Sequence, residues 1–265
     1  MGALIFIGLG LYDKKDISVK GLEEVKKADT VYSEFYTSRL AGSSLEEIKS
    51  ELDTEIEILN REEVEKEAIP MKKAKRERVV FLTGGDPMAA TTHVDLRLRA
   101  HEEDIETKII HSSSIFSAVP SQLGLQHYKF GRAVTLPFYN NKKDYPESPY
   151  ENIRENMKRG LHTLTLLDIN SEQENYMSVN EGIEALLHLE NKLGKGVFKE
   201  DSIVVGLARV GSNDQKIIAG YPNDVMKKNF GNGLHCLVIP GDLHFMEIDA
   251  LICLAEAPKN IKKEK

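Results

Sequence analysis

Two α/β domains are predicted, an N-terminal one (1–112) with a mostly parallel sheet and a C-terminal one (113–265) with a mixed sheet. Through residue 112, short apolar runs alternate with stretches of helical periodicity, joined by brief loops, the rhythm of a parallel sheet covered on both faces. Three of these runs empty into loop-forming residues, Gly8-Leu9-Gly10, Gly84-Gly85-Asp86-Pro87 and Ser112-Ser113-Ser114. Parallel sheets bind their ligands outside the carboxyl ends of the strands, so these exits are candidate site loops. Beyond Ser112 the texture changes, and the last three apolar runs follow one another partly through short connections, as in a mixed or antiparallel sheet.

The elements follow in order. Leu4-Ile5-Phe6-Ile7 is a buried strand running into the first glycine loop, and a helix opens at Asp16, carries Val19, Leu22 and Val25 on one side and ends near Ala28. Thr30-Val31-Tyr32 is a second strand, whose exit Glu34-Phe35-Tyr36-Thr37-Ser38 shares the first loop's end of the sheet if the strands are parallel. A helix from Ser44 to Glu51 precedes the alternating Glu55-Ile56-Glu57-Ile58-Leu59, and the charge-dense Arg61 to Arg78 reads as a solvated helix broken at Pro70. Arg78 to Thr83 is a strand, Ala89 to Glu103 a helix, Thr107 to His111 a strand, and Ile115 to Leu123 a short helix. In the second domain the strands are Ala133–Pro137, Thr163–Asp168, Ser202–Arg209, Gln215–Gly220 and Leu234–Gly241. The helices there are Tyr150–Arg159, closed by Gly160, one behind Ser178-Val179-Asn180-Glu181 that runs to about Leu193, and Tyr221–Asn229. Ser178 and Glu181 have capping-box spacing. The tail from Ala257 is charged and expected to fray.

Composition excludes several classes. A formal charge of -7 leaves no general basic field for nucleic acid. No apolar run approaches the ~18 residues of a membrane span, and the first residues form a strand instead of a signal core, so the expected location is the cytoplasm. Cys236 and Cys253 read as buried thiols, and the eight histidines lack any metal-ligand spacing, so no metal is expected. Neither a Gly-x-Ser-x-Gly elbow nor a P-loop is present.

Each exit loop has two readings. Gly8-x-Gly10 is either a turn after a core strand or a ligand loop, and Asp13 occupies the place of a dinucleotide fingerprint's third glycine. Asp86, followed by Pro87, is either a helix N-cap or a ligand contact, and Ser112 to Ser114 are either caps or a third wall.

Taken together, Ile7-Gly8-Leu9-Gly10 with Asp16 to Leu22, and Gly85-Asp86-Pro87 after a strand, resemble the tetrapyrrole methylase family. Gly8-Leu9-Gly10-Leu11-Tyr12-Asp13, Glu34 to Ser38, Gly85-Asp86-Pro87 with Ala90-Thr91-Thr92-His93, Leu125 to Phe130, Gly160 to Leu164, Leu167-Asp168-Ile169, Tyr176 to Asn180 and Leu207-Ala208-Arg209-Val210-Gly211 narrow the resemblance to its diphthine synthase branch. The resemblance covers nearly the whole chain in order and implies two α/β domains with a cleft for S-adenosylmethionine between them. It implies methylation of the amine on the modified histidine of elongation factor 2, in diphthamide synthesis, by a homodimer. The family's cofactor contacts fall on Leu11, Asp86, Ala89, Ser114, Ile115, Leu167, Val210 and His235. Gly8 and Gly10 then read as clearance for the cofactor, and no third glycine is needed because no pyrophosphate is cradled. Tyr36 and Tyr12 are each either a packed core or rim tyrosine or an aromatic wall for a growing methylammonium head, and the sequence does not decide whether a side chain or water takes the amine's proton. The short path from Ile169 to Tyr176, without the insertion of eukaryotic members, points to the archaeal, trimethylating form. The alternatives are a porphyrin or corrin C-methyltransferase and a non-catalytic nucleotide-sensing module.

Overall fold

The structure, a computed structural model, describes residues 2–36, 39–139, 145–170 and 175–263 and divides into two compact units, 1–115 and 116–265. Thr37 and Ser38 and parts of the loops after Tyr139 and Asn170 lie outside the described residues.

Unit 1 contains β1 (Ala3–Gly8), α1 (Val19–Val25), β2 (Thr30–Ser33), α2 (Leu45–Leu52), β3 (Glu57–Ile58), α3 (Arg61–Glu65), α4 (Ile69–Ala74), β4 (Arg78–Thr83), α5 (His93–Glu102) and β5 (Glu106–Ile110). Its five strands are all parallel, in the order β3-β2-β4-β1-β5. Alternate residues of each central strand face opposite cores. Ile5, Ile7, Val80 and Leu82 pack with Val25, Ile48 and Leu52 on one side. Leu4, Phe6, Val79 and Phe81 pack with Val64, Met71, Leu96 and Ala100 on the other. Burial on both faces is why these strands are continuous apolar runs with no alternation.

Several local expectations change. The first helix is split: Asp13 caps a 3-10 turn over Lys14–Asp16, and Ser18 starts α1 anew, leaving Val19 73% exposed instead of on the buried side. Arg61–Arg78 holds two helices, and the break falls at Ala68 (φ +52°), with Pro70 in the first turn of α4. The segment is not merely surface, since Val64, Ala68, Met71 and Ala74 are core residues hidden by the charges between them.

Unit 2 contains α6 (Ile115–Leu123, its first residue in unit 1), β6 (Val134–Leu136), α7 (Ser148–Met157), β7 (Thr163–Leu167), the hairpin β8 (Ile169–Asn170) and β9 (Asn175–Tyr176), and α8 (Val179–Leu193). Then come β10 (Val204–Ala208), β11 (Lys216–Gly220), α9 (Pro222–Val225), β12 (His235–Ile239) and α10 (Phe245–Leu254). The sheet order is β11-β10-β12-β7-β6, antiparallel except for β6 with β7, so it is mixed. Ser178 and Glu181 form the expected capping box at the start of α8. The helix expected over Tyr221–Asn229 is only the single turn α9.

Helix α10 escapes sequence reading because Phe245, Met246 and Leu254 are exposed while Ile248 and Leu251 are buried, so its apolar residues mark no one face. Its cap is also unusual, with His244 in the capping position and Glu247 completing the box. Cys236 is buried as expected, but Cys253, on the outer side of α10, is exposed. The tail does not simply fray: Lys259–Lys263 make a 3-10 turn and Ile261 is buried.

Glu247 ties this helix to the rest of the unit. Its fully buried carboxylate accepts the backbone N–H groups of Gln126 (2.9 Å) and His244 (2.8 Å), the Lys129 ammonium and, at 3.1 Å, His162 Nε2. Burial alone would raise its pKa, but these donors outweigh it and hold the group down to about 2. A carboxylate depressed in the fold stabilises it above the unfolded value and loses that contribution as pH falls toward the folded one. Stability should therefore decline between about pH 4.5 and 2 by on the order of 3 kcal/mol from this group. In urea unfolding across that range, Glu247→Gln should be less stable at neutral pH and show a shallower acid decline; an unchanged slope would contradict the assignment.

Candidate functional site

In unit 1 the exits of β4, β1 and β5 stand side by side because the strands are adjacent, parallel and level, with Gly8 opposite Thr83 and Ile7 opposite both Leu82 and Ile110. The two glycine loops do more than lie near one another. Gly85 N–H donates to Gly10 O at 2.7 Å and Gly10 N–H to Gly85 O at 3.3 Å, an isolated antiparallel bridge across the top of a parallel sheet.

This pairing corrects the clearance expected for Gly8 and Gly10. A Cβ on Gly8 would lie 2.4 Å from Gly85 O and 2.7 Å from Ser112 Cβ, so glycine is required there by the neighbouring protein. Gly10, at φ +86°, would meet Asp16 Cβ at 2.3 Å. The open glycine is Gly85: at φ +73° a Cβ there would meet nothing within 4 Å. Space for a ligand is over the second loop.

Asp86 is not a helix cap, because α5 starts at His93 and the preceding residues form turns, with Ala90 at φ +58°. The Asp86 carboxylate instead accepts the Met88 N–H at 3.1 Å, which shapes its own loop, and the Ser112 N–H at 3.3 Å with His111 Nδ1 at 2.8 Å, which fastens that loop to the exit of β5. Ser112 Oγ in turn donates to Asp16 O at 3.3 Å. Leu11, Asp86 and Ala89 thus sit on two loops bridged by backbone bonds, and Ser114 and Ile115 follow the third exit; all five are half-buried. His111 was not anticipated, and its only sequence signal is its place immediately after a strand.

Unit 2 gathers its three residues at one end of its sheet's three inner strands. Leu167 ends β7, Val210 follows β10, and His235 begins the antiparallel β12, where Ala208 pairs with His235 and Leu166 with Cys236. Arg209 holds this end together. It takes up φ +50°, its Nε donates to Asp214 at 2.8 Å, and its terminal nitrogens reach the carbonyls of Phe230 (2.6 Å), Asn232 (2.9 Å) and Asp214 (2.9 Å).

The imidazole of His235 is fixed by the start of α8, whose Val179 N–H donates to Nδ1 at 3.2 Å. A ring accepting at Nδ1 carries its proton on Nε2 when neutral. Burial, with the Arg209 charge beside it, pushes its pKa down to about 4 and keeps it neutral. The Gly231 carbonyl acts on the ring in the opposite direction, and Nε2–H is a buried donor with no hydrogen-bond partner among the described residues. A bound group carrying an acceptor would complete it.

The pattern of the tetrapyrrole (corrin/porphyrin) methylases matches residues 3–221. The chain is 46% identical over 258 residues to the diphthine synthase of Methanothermobacter thermautotrophicus, covering 97% of each. It is 47% identical over 265 residues to that of Methanosarcina barkeri, covering 98% of this chain and 99% of the relative. A crystal structure of a diphthine synthase superposes with a TM-score of 0.90 at 36% identity, covering 98% of this chain and 99% of that one.

The two glycines separate a packing role from an open one. Gly8→Ala should lower the stability measured by urea unfolding by about 1–3 kcal/mol, through forced overpacking. Gly85→Ala should lose only the ~1 kcal/mol of a left-handed non-glycine residue. Equal losses would mean that the contacts around Gly8 are not the constraint.

Proposed function

From the chain's membership of the tetrapyrrole methylase family, and within it of the diphthine synthases, we propose that it methylates the amine of the 3-amino-3-carboxypropyl group on the modified histidine of elongation factor 2. It is an S-adenosylmethionine-dependent methyltransferase of diphthamide biosynthesis. The product we propose is the trimethylated amine, made in the cytoplasm by a homodimer. No described helix is long and apolar enough to cross a membrane.

S-adenosylmethionine supplies a sulfonium methyl that is already electrophilic. What the protein must add is orientation, an uncharged acceptor amine in line with the methyl group, and exclusion of water, which together account for a large share of rate acceleration in reactions of this kind. We assign cofactor binding in unit 1 to Leu11, Asp86, Ala89, Ser114 and Ile115 and in unit 2 to Leu167, Val210 and His235. Leu167 and Val210 are buried apolar residues suited to a nonpolar contact. The anchored Asp86 carboxylate is an acceptor, and the open side of Gly85 lets a ligand approach the backbone of the same loop. The observation that carries the binding assignment is His235 Nε2–H, a preformed donor without a hydrogen-bond partner among the described residues.

Transfer of radiolabelled methyl from S-adenosylmethionine to elongation factor 2 bearing the aminocarboxypropyl histidine tests the function. Three methyl groups on one nitrogen are expected by mass spectrometry. Labelling of a tetrapyrrole instead would overturn the reading, and a fourth, base-labile methyl would overturn the trimethylating form. His235→Asn tests the site, because Asn Oδ1 can still accept the Val179 N–H while the Nε2–H donor is lost. Cofactor affinity should fall about tenfold with little change in unfolding midpoint; unchanged affinity would remove His235 from the site.

A further inference from the structure

A second set of buried polar groups lies in unit 1 at the exit of β2, beside the glycine loops. Strands β2 and β4 are parallel neighbours with Ser33 opposite Leu82, so the chain after Ser33 emerges next to Thr83-Gly84-Gly85. That exit carries Glu34, which is fully buried, and Tyr36. Facing it is His93, the first residue of α5, with a side chain 0% exposed. His93 Nδ1 lies 3.0 Å from Pro87 O. A carbonyl can only accept, so Nδ1 carries the proton and the neutral ring presents a lone pair at Nε2.

Nε2 of His93 is buried without a hydrogen-bond partner among the described residues, 3.7 Å from Glu34 Oε1 and too far for a bond to it. Tyr36 Oη is also buried and unpartnered among the described residues. One is an unused acceptor and the other an unused donor. Leaving such a group unsatisfied costs about 1–3 kcal/mol, and native structures seldom do so without a ligand, ion or water to complete it. Beside them a cavity of about 250 Å³ is lined by Val64, Glu65, Thr92, His93, Asp95 and Leu96. The guanidinium of Arg61 lies over the Tyr36 ring at 5.2 Å from its centroid.

We propose that Glu34, Tyr36 and His93 form the acceptor subsite, holding the α-amino and carboxylate groups of the aminocarboxypropyl chain that is to be methylated. The inference rests on the functional reading above and assigns residues outside the cofactor set. An amine offers N–H donors to His93 Nε2 and the Glu34 carboxylate, and a carboxylate on the same carbon offers oxygens to Tyr36 Oη–H and the neighbouring Arg61. The complementarity is specific, because the guest must carry donors and acceptors a bond or two apart. A buried anion beside the amine also favours the cationic product, and the Tyr36 face adds an aromatic wall. Burial, together with the charges of Glu34 and Glu65, pushes the Tyr36 hydroxyl up, so it remains a donor at neutral pH. Burial likewise keeps His93 neutral by lowering its pKa.

The loop between β4 and α5 joins the two assignments physically. Its start carries Asp86 and Ala89, Pro87 between them fixes the His93 tautomer, and Thr91 Oγ1 donates back to Pro87 O at 2.9 Å. Methyl donor and methyl acceptor are thereby assigned to opposite ends of one short, internally bonded loop.

The test uses Tyr36→Phe and His93→Gln in the full chain, with aminocarboxypropyl elongation factor 2 as acceptor. Tyr36→Phe should raise the KM for that acceptor about tenfold or more, through loss of a charge-assisted hydrogen bond. Affinity for S-adenosylmethionine should stay within about twofold by calorimetry. The melting temperature should stay or rise, because the hydroxyl removed has no partner among the described residues. An unmoved acceptor KM overturns the subsite, and an unmoved KM with a lower melting temperature assigns the hydroxyl to a structural water instead. An equal fall in cofactor affinity overturns it as well, by moving Tyr36 into the donor site. His93→Gln repeats the measurement independently, and if that variant does not fold, Tyr36→Phe alone decides. Absence of transfer by the unchanged protein would sink both the acceptor and the functional reading, whereas transfer with an unmoved KM sinks the subsite only.

Discussion

The backbone pairing of Gly10 with Gly85 is the constraint from which the arrangement of unit 1 follows. Parallel strands have no hairpins to hold their carboxyl ends together, so loops after β1 and β4 would ordinarily diverge toward solvent. Here two N–H to O=C bonds close that gap, and they demand that backbones meet where side chains would normally stand. Gly8 and Gly10 are the consequence, one by close approach and the other by a left-handed φ. Asp86 extends the same tie to the exit of β5 through Ser112 and His111. Three loops become one rigid rim, and residues far apart in sequence acquire fixed relative positions before any ligand arrives.

Against that rigidity, the protein's use of buried polar groups divides into two kinds. Some are saturated. Glu24 takes hydrogen bonds from Lys108 and Arg78, which hold its carboxyl down to about 2. Glu190 takes three successive backbone N–H groups, from Gly196, Val197 and Phe198, and the Tyr150 hydroxyl. Glu247 fastens α10 in the same way. These groups stabilise the fold through the donors they already hold. His235, His93 and Tyr36 are of the other kind, each with a buried atom that no described residue meets. Both histidines have one nitrogen fixed by a backbone group, so the tautomer is set and the open nitrogen has a defined role, donor at His235 and acceptor at His93. The fold keeps both rings neutral through burial, and neutral rings suit an enzyme whose donor and product are both cationic.

Sequence pattern carried much of the architecture. The continuous runs at Leu4–Ile7 and Val79–Leu82 required a strand buried on both faces, and the Ser178-to-Glu181 spacing located the start of α8, because burial and capping are written in neighbouring residues. Where the local pattern was ambiguous, reading failed for identifiable reasons. Helix α5 starts later than the expected Ala89 because Asp86-Pro87, although it has the chemistry of a helix start, is committed to Ser112 and His111 across the sheet. Helix α10 has no clean amphipathic face and an uncommon cap, and the charge-rich stretch before β4 masks core residues such as Val64 and Met71.

The sequence by itself determined the fold class, the glycine loops and the family, since periodicity, turn chemistry and motif order are local properties that survive without coordinates. Only the tertiary structure decided what each loop residue touches. Gly8 changed from ligand clearance to a packing necessity, Gly85 became the open position, and Asp86, open in the sequence between helix cap and ligand contact, lost the cap reading and became a tie between strand exits. The unmet atoms of His235, His93 and Tyr36 were equally invisible in the chain. Whether a glycine faces protein or space, and whether a polar atom is satisfied, depends on partners brought together by the sheet, and no spacing along the sequence records them.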